Sequence, residues 1–273
     1  MNCDTPSAGG GAEQDAYEGR LAEAFELATD RSDRAGRHRR FGCALALFDR
    51  LAVEEPARPE PRLGEAICEL GLGRPYRARQ ALAAARSRGL GAANDRSPAP
   101  EAGEALLADV VEAEILLELA QLDAARMVLD RLVGQDGEAR AADVHTLNGR
   151  LELAQGEVAA AVRHMGGALA HDADHPPAHH LRGEIWAASG DLRTALNAYD
   201  RAVALDPEAP AFRLSRARVR LDLGDVDGAS ADLAVLERMF AEGFADPVCI
   251  AAARTLGAAA EAAARGRRND GDR

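Results

Sequence analysis

Five of the seven histidines lie between residues 164 and 180: His164, His171, His175, His179 and His180. The last four, with Asp172 and Asp174, make the run His-Asp-Ala-Asp-His-Pro-Pro-Ala-His-His. Imidazoles and carboxylates at that density are the ligands that zinc and similar ions take. Imidazoles also titrate near neutrality, which suits a pH-sensitive contact. Two features oppose a metal: Pro176 and Pro177 interrupt the i,i+4 relation of His175 and His179, and no thiol is close. The competing reading is a solvated turn leading into a helix. No metal ligand set is therefore assigned. The His164–His180 run is held as the basis of an alternative, a metal- or pH-responsive regulator.

Other chemistry is sparse. Nucleophilic catalysis needs a Ser or Cys converging with a base in a pocket, and no nucleophile elbow or phosphate-cradling glycine loop is present. Gly9–Gly11 leads into a polar helix rather than a strand–turn–helix. The four cysteines, Cys3, Cys43, Cys68 and Cys249, lack any C-x-x-C spacing. Cys43 and Cys68 read as small, reduced, buried hydrophobes. Glu and Asp are abundant, but on helices they usually mark a solvated face. The expectation is no enzyme and no cofactor.

Charge narrows the partners. The formal net charge is −12, which argues against nucleic acid and against an anionic membrane surface. It leaves basic, acidic and hydrophobic peptides open. All 33 basic residues are arginine, a bias that fits a GC-rich, bacterial source. No apolar run has the flanks of a signal peptide or the roughly 20 residues of a membrane span. A cytoplasmic protein is expected, with oligomeric state open.

The elements that position these groups repeat. Gly156, Gly190 and Gly224 recur every 34 residues, each followed by an acidic residue and, five positions on, by Ala161, Ala195 and Ala229. A period in this range marks stacked helix–turn–helix units. The clearest unit starts at Pro176 and Pro177, which suit a helix start. Its first helix carries Leu181, Gly183 and Trp186. Gly190 supplies a left-handed turn and Asp191 a cap. Its second helix carries Ala195, Tyr199 and Ala202, and Pro207 stops it.

This pattern resembles the tetratricopeptide repeat family. Six signature positions match in that unit: Gly183, Trp186, Ala195, Tyr199, Ala202 and Pro207. The unit before it matches at Gly149, Ala161, Met165 and Ala168, but departs at Glu152 and Ala173. The unit after it matches at Ala217, Ala229, Leu233 and Leu236, with Arg220 off the pattern. Weaker copies precede these. One carries Ala113, Leu116, Ala125, Leu129 and Leu132, set off by an insertion near Gly134–Gly137. Another carries Ala66, Gly73, Ala78, Leu82 and Ala85. The earliest has a first helix over Ala12–Thr29, a polar insert Asp30–Arg37, and a second helix around Ala44, Phe48 and Leu51. The stretch 87–100 reads as a loop. The implied fold is all-α: a right-handed superhelical solenoid of about six antiparallel helix pairs plus a C-terminal capping helix. The expected organisation is a disordered start over 1–11, well-matched copies at 142–175, 176–209 and 210–240, and degenerate ones at 12–58, 59–90 and 101–135. A cap over 245–265 and a disordered tail over 266–273 complete it.

The resemblance also implies a working surface. In such arrays the first helix of each pair lines a concave groove. The positions carried over are Glu114, Leu117, Thr146, Arg150, Leu153, His180, Glu184, Leu214, Arg218 and Leu221. They place an apolar stripe beside a row of alternating charge. That implies a non-catalytic scaffold or adaptor holding a peptide segment of a protein partner, or an accessory subunit of an enzyme or assembly complex. Arg150 and Arg218 are the expected carboxylate contacts. The lysine-containing clamp that some family members use for acidic tails is absent. His145 and His179, both at the fourth repeat position, are expected to pack between repeats.

Overall fold

The computed structural model describes residues 9–29, 37–90, 102–132, 137–244 and 246–271. Among the described residues there are thirteen α-helices and no strand. In chain order they are α1 (Gly9–Thr29), α2 (Arg37–Glu54), α3 (Glu60–Gly71), α4 (Pro75–Ser87), α5 (Ala102–Glu118), α6 (Leu122–Leu132) and α7 (Gly137–Ala154). They continue as α8 (Val158–His171), α9 (Pro176–Ala188), α10 (Leu192–Leu205), α11 (Pro210–Asp222), α12 (Val226–Ala241) and α13 (Pro247–Gly271). Successive helices pack as six pairs, α1/α2 to α11/α12, and α13 covers the far side of α11 and α12.

Turn chemistry explains the pairing. Gly156, Gly190 and Gly224 sit at φ of +85°, +84° and +80°, backbone that glycine adopts without the Cβ penalty. Asp191 then accepts from the Thr194 amide at 3.1 Å, and Asp225 from the Gly228 amide at 2.9 Å. Each thereby satisfies an orphan donor of the following helix. Between α5 and α6 the same left-handed place falls to Ala120, at φ +54°.

Each odd-numbered helix touches the next odd-numbered one, and the even-numbered helices do not touch each other. The odd helices are therefore crowded on the inside of a curve and the even ones spread over its outside. The core runs along the array as a chain of clusters, such as Val110, Leu129, Leu132, Leu147 and Leu151 in the middle. Toward the C-terminus it continues through Ala217, Leu236, Leu256 and Ala260. This is the sequential burial expected of stacked units, each leaning on its neighbours.

Two helices run past their expected bounds. α1 begins at Gly9 rather than Ala12, and residues 1–8 lie outside the described residues. The three glycines cost helix propensity, yet the helical hydrogen bonds run back through them. At the other end α13 runs past Arg265 to Gly271 rather than giving way to a tail at 266. The alanine run of α13 and its arginines are strong helix formers, which favours continuation. The expected polar insert and long loop fall mostly on 30–36 and 91–101, and the insertion near Gly134 on 133–136, all outside the described residues.

Candidate functional site

The concave side is built from odd helices. Leu117, Leu153, Leu214 and Leu221 are each half-buried there, part core and part surface. The neighbouring charges are less evenly spread than their spacing suggests. Arg150 on α7 donates to Glu118 on α5 at 2.7 Å. Burial alone would lower the Arg150 pKa, but Glu118, Glu184 and Glu114 together hold it above its ordinary value. Arg150 is thus enclosed by carboxylates of this chain and is not an open cation. Glu118, which the repeat pattern did not single out, is its partner. Arg218 on α11 is exposed, and no ion pair among the described residues engages it.

Two expected contact residues are buried in the helix packing. Thr146 is buried, and its hydroxyl donates to the Ala142 carbonyl at 2.7 Å. His180 is buried on α9 between aromatic rings, its centroid 4.7 Å from Phe212 and 5.3 Å from Tyr199. Its Nε2 lies 2.9 Å from Ser215 Oγ, and its Nδ1 lies 3.7 Å from Glu184. Burial lowers the His180 pKa, so the neutral ring is favoured. Ser215 also bonds the Tyr199 hydroxyl, whose pKa burial raises. His180 and Ser215 therefore tie α9 to α11 beneath the groove.

The turn between α3 and α4 approaches the turn between α12 and α13. Gly73, at φ +72° between α3 and α4, faces the turn between α12 and α13: a Cβ there would lie 2.7 Å from the Phe244 ring. Arg74 reaches toward the Gly243 carbonyl at 3.5 Å. Cys249, at the start of α13, is buried and its thiol is pushed up to about 12, by burial first and then by Asp246 and Glu118. The turn that follows α3 thus meets the turn that precedes α13.

The histidine run is split among different surroundings. His175, expected on a solvated turn, is instead buried, with Asp143 at 3.4 Å and Asp172 at 3.6 Å. His179 is buried with Nε2 2.9 Å from the Ala173 carbonyl, closing the turn before α9. His164 and His171 lie on α8 beside His145. Among the described residues no three His, Cys, Asp or Glu side chains are placed to grip one metal ion.

The repeat positions fall as follows. Ala161, Ala195, Ala202, Ala217 and Ala229 are fully buried, where helices approach most closely. Gly183 lies under the Tyr199 ring, and Gly149 under the Leu181 side chain. Gly190 closes α9 as described, and Pro207 follows α10. Trp186 keeps 39% of its surface open, more exposed than a packing position implies. Cys68 is buried with its thiol pushed up to about 12 by burial, whereas Cys43 is exposed, against expectation. Its position on α2 points away from the α1–α2–α3 core.

The departures from the repeat pattern have physical reasons. Arg220, standing where an aromatic belongs, donates to buried Asp232 at 2.8 Å. Glu152, at the equivalent place on α7, accepts from Arg126 at 2.8 Å. Asp232 is a hub: Arg216 binds it through Nε at 2.9 Å and through Nη2, and Arg213 lies at 3.6 Å. No periodicity marks Asp232, because a buried carboxylate and an exposed one occupy the same helical pattern.

Comparison with known proteins agrees with this geometry. Residues 186–242 match the tetratricopeptide repeat family. No curated protein matches the chain. Solved structures do. The human IFIT1 dimer with m7Gppp-AAAA is 18% identical, with a TM-score of 0.56, over 81% of this chain and 49% of that one. PilW, a widely conserved type IV pilus biogenesis factor, is 15% identical, with a TM-score of 0.53, over 82% of this chain and 94% of that one. Yeast Tom70 is 13% identical, with a TM-score of 0.52, over 92% of this chain and 47% of that one. The chain spans about half the length of the IFIT1 chains it matches. At such identities the likeness establishes the fold: the chain is a tetratricopeptide-like array of helix pairs, with the repeat family itself matched over 186–242.

Proposed function

We propose that this chain is a non-catalytic scaffold that holds a peptide segment of a protein partner on its concave side. The observation that carries the reading is the packing of odd helix on odd helix, which builds one continuous inner wall from successive units. That wall offers half-buried leucines as apolar anchors beside fixed charges that set register. Arg218, exposed on α11, is the cation best placed for a partner carboxylate, since Arg150 is already held by Glu118. A nucleic-acid partner is disfavoured by the net charge of −12. No helix among the described residues is long and apolar enough to cross a membrane. We place the scaffold in the cytoplasm, in keeping with free thiols at Cys43, Cys68 and Cys249.

The test is affinity capture with mass spectrometry on wild type, Arg218→Glu and Arg193→Glu, the last on exposed surface of α10. The expected result is a partner retained by wild type and Arg193→Glu and lost by Arg218→Glu, with helicity unchanged in all three. Equal capture by all three variants rejects the inner wall as the binding surface.

A further inference from the structure

Among the described residues, every helix-to-helix contact joins an element to the next in the chain or to the next but one. One contact departs from that order. Gly73 and Arg74, in the turn after α3, meet Gly243, Phe244 and Asp246, before α13; 169 residues separate Arg74 from Gly243. Gly73 sits at φ +72°, and a Cβ there would lie 2.6 Å from the Asp246 Cβ and 2.7 Å from the Phe244 ring. Only glycine permits both that backbone and that approach. Arg74 Nη2 donates to the Gly243 carbonyl at 3.5 Å. The Glu118 carboxylate, at the C-terminal end of α5, acts on Cys249 near the start of α13.

These contacts complete a circuit. Odd helices touch in succession from α3 through α5, α7, α9 and α11 to α13, and the turns at Gly73 and Phe244 join the two ends of that row. The helices of each pair run antiparallel, so the odd helices all point the same way. The C-terminal end of α3 therefore meets the N-terminal end of α13. α13 stands end-on to α3 rather than beside it, displaced by about one helix length, roughly 18 Å for the twelve residues of α3. This turn of the array closes on itself along a seam, with the inner wall inside.

The seam is thin. Among the described residues no side-by-side packing joins α3 or α4 to α12 or α13. Its one hydrogen bond is long, and Arg74 also donates to Glu69 at 3.3 Å. Parting the seam unpacks no helix, because each unit of a stacked array is held by its neighbours. We propose that this seam gates the inner wall: closed, it bars a partner segment from entering side-on, and it parts to admit one. The gate rests on the inner wall being the binding surface. A site that is open only part of the time binds more weakly by that fraction, so a chain held open should bind more tightly.

The experiment is small-angle X-ray scattering, with affinity capture of the same partner, on wild type, Gly73→Leu, Phe244→Ala and Gly190→Leu. Gly73→Leu wedges the seam. Phe244→Ala removes the ring from it. Gly190→Leu carries the same left-handed backbone penalty, at φ +84°, with nothing within 4 Å of its Cβ. A larger radius of gyration is expected for Gly73→Leu and Phe244→Ala than for wild type and Gly190→Leu. Gly73→Leu should also retain about threefold more partner than Gly190→Leu, or better. Circular dichroism checks the fold; if Gly73→Leu unfolds, Phe244→Ala decides both readouts, since it loosens the seam without straining the turn. Equal radii in all four overturn the seam. A larger radius without greater capture overturns the gate and leaves the inner wall as the binding surface. Absence of capture by every variant rejects that surface, and the gate with it.

Discussion

The pairs α9/α10 and α11/α12 have first helices of equal length, 13 residues, and share the Gly–Asp turn and cap between their helices, yet different chemistry holds each together. In α9/α10 a small residue meets a large ring: Gly183 leaves room for Tyr199, which is buried against it. In α11/α12 the equivalent positions are Ala217 and Leu233, a larger residue against a smaller one, in one buried cluster. The difference is then made up elsewhere. Arg213, Arg216 and Arg220 of α11 converge on Asp232 of α12, with Asp200 of α10 receiving Arg216 at 3.0 Å. One pair is locked by shape and the next by charge. The repeat keeps the order of helix, turn and helix while leaving open what fills the contact between them.

The largest effect expected from breaking this comparison is at the charged lock. Asp232 is 2% exposed and answers three arginines. Asp232→Ala strands those cations, and removing one partner of a buried ion pair costs about 3–5 kcal/mol. Urea unfolding should show this as a lower midpoint. A loss below about 1 kcal/mol would mean that the arginines find water or Asp200 instead.

The shape lock should be next. Any side chain at Gly183 overlaps the Tyr199 ring, and overpacking of this kind costs about 1–3 kcal/mol. Gly183→Ala together with Tyr199→Leu imitates α11/α12 and should recover part of the loss in thermal melts. If the double variant is no more stable than Gly183→Ala, the volume-exchange account fails.

Between the two pairs sits His180, and it adds a pH dependence. Its folded pKa is lowered by burial, with Glu184 opposing and Arg150 adding to the shift. Above the unfolded value both states are neutral and His180 contributes nothing. As pH falls below that value the unfolded chain takes up a proton that the folded chain resists, so stability declines until the folded pKa is passed. His180→Gln should flatten that part of the stability–pH curve. Parallel curves for the two proteins would exclude His180 as a source.

These contrasts also show what was legible in the sequence. The glycine and alanine register located the turns and the close helix contacts, because only small residues satisfy those constraints. Which helix of each pair lines the inner wall came from the family resemblance and not from the period. The register did not find Glu118, Ser215 or Asp232, since pairing partners are chosen across the array and leave no periodic trace. It misjudged Arg150 as open and His175 as solvated for that reason. The contact between Gly73 and Phe244 was equally hidden, because it depends on the summed curvature of all the units between them.

The smallest expected effect concerns why the register weakens toward the start. Ala120 holds the left-handed turn that Gly156, Gly190 and Gly224 hold later, at φ +54°. Alanine in that conformation costs roughly 1–2 kcal/mol, while glycine costs about 0.5–1 kcal/mol in unfolded-state entropy. The balance favours glycine by about 0.5–1 kcal/mol. Nothing in the turn needs the methyl group for packing, because Ala120 is exposed. Ala120→Gly should therefore raise the melting temperature, whereas Gly190→Ala in the regular part should lower it by a similar amount. If Ala120→Gly is destabilising instead, that turn is held by its α5–α6 packing, and the glycine register is a convenience of the later units rather than a requirement of the fold.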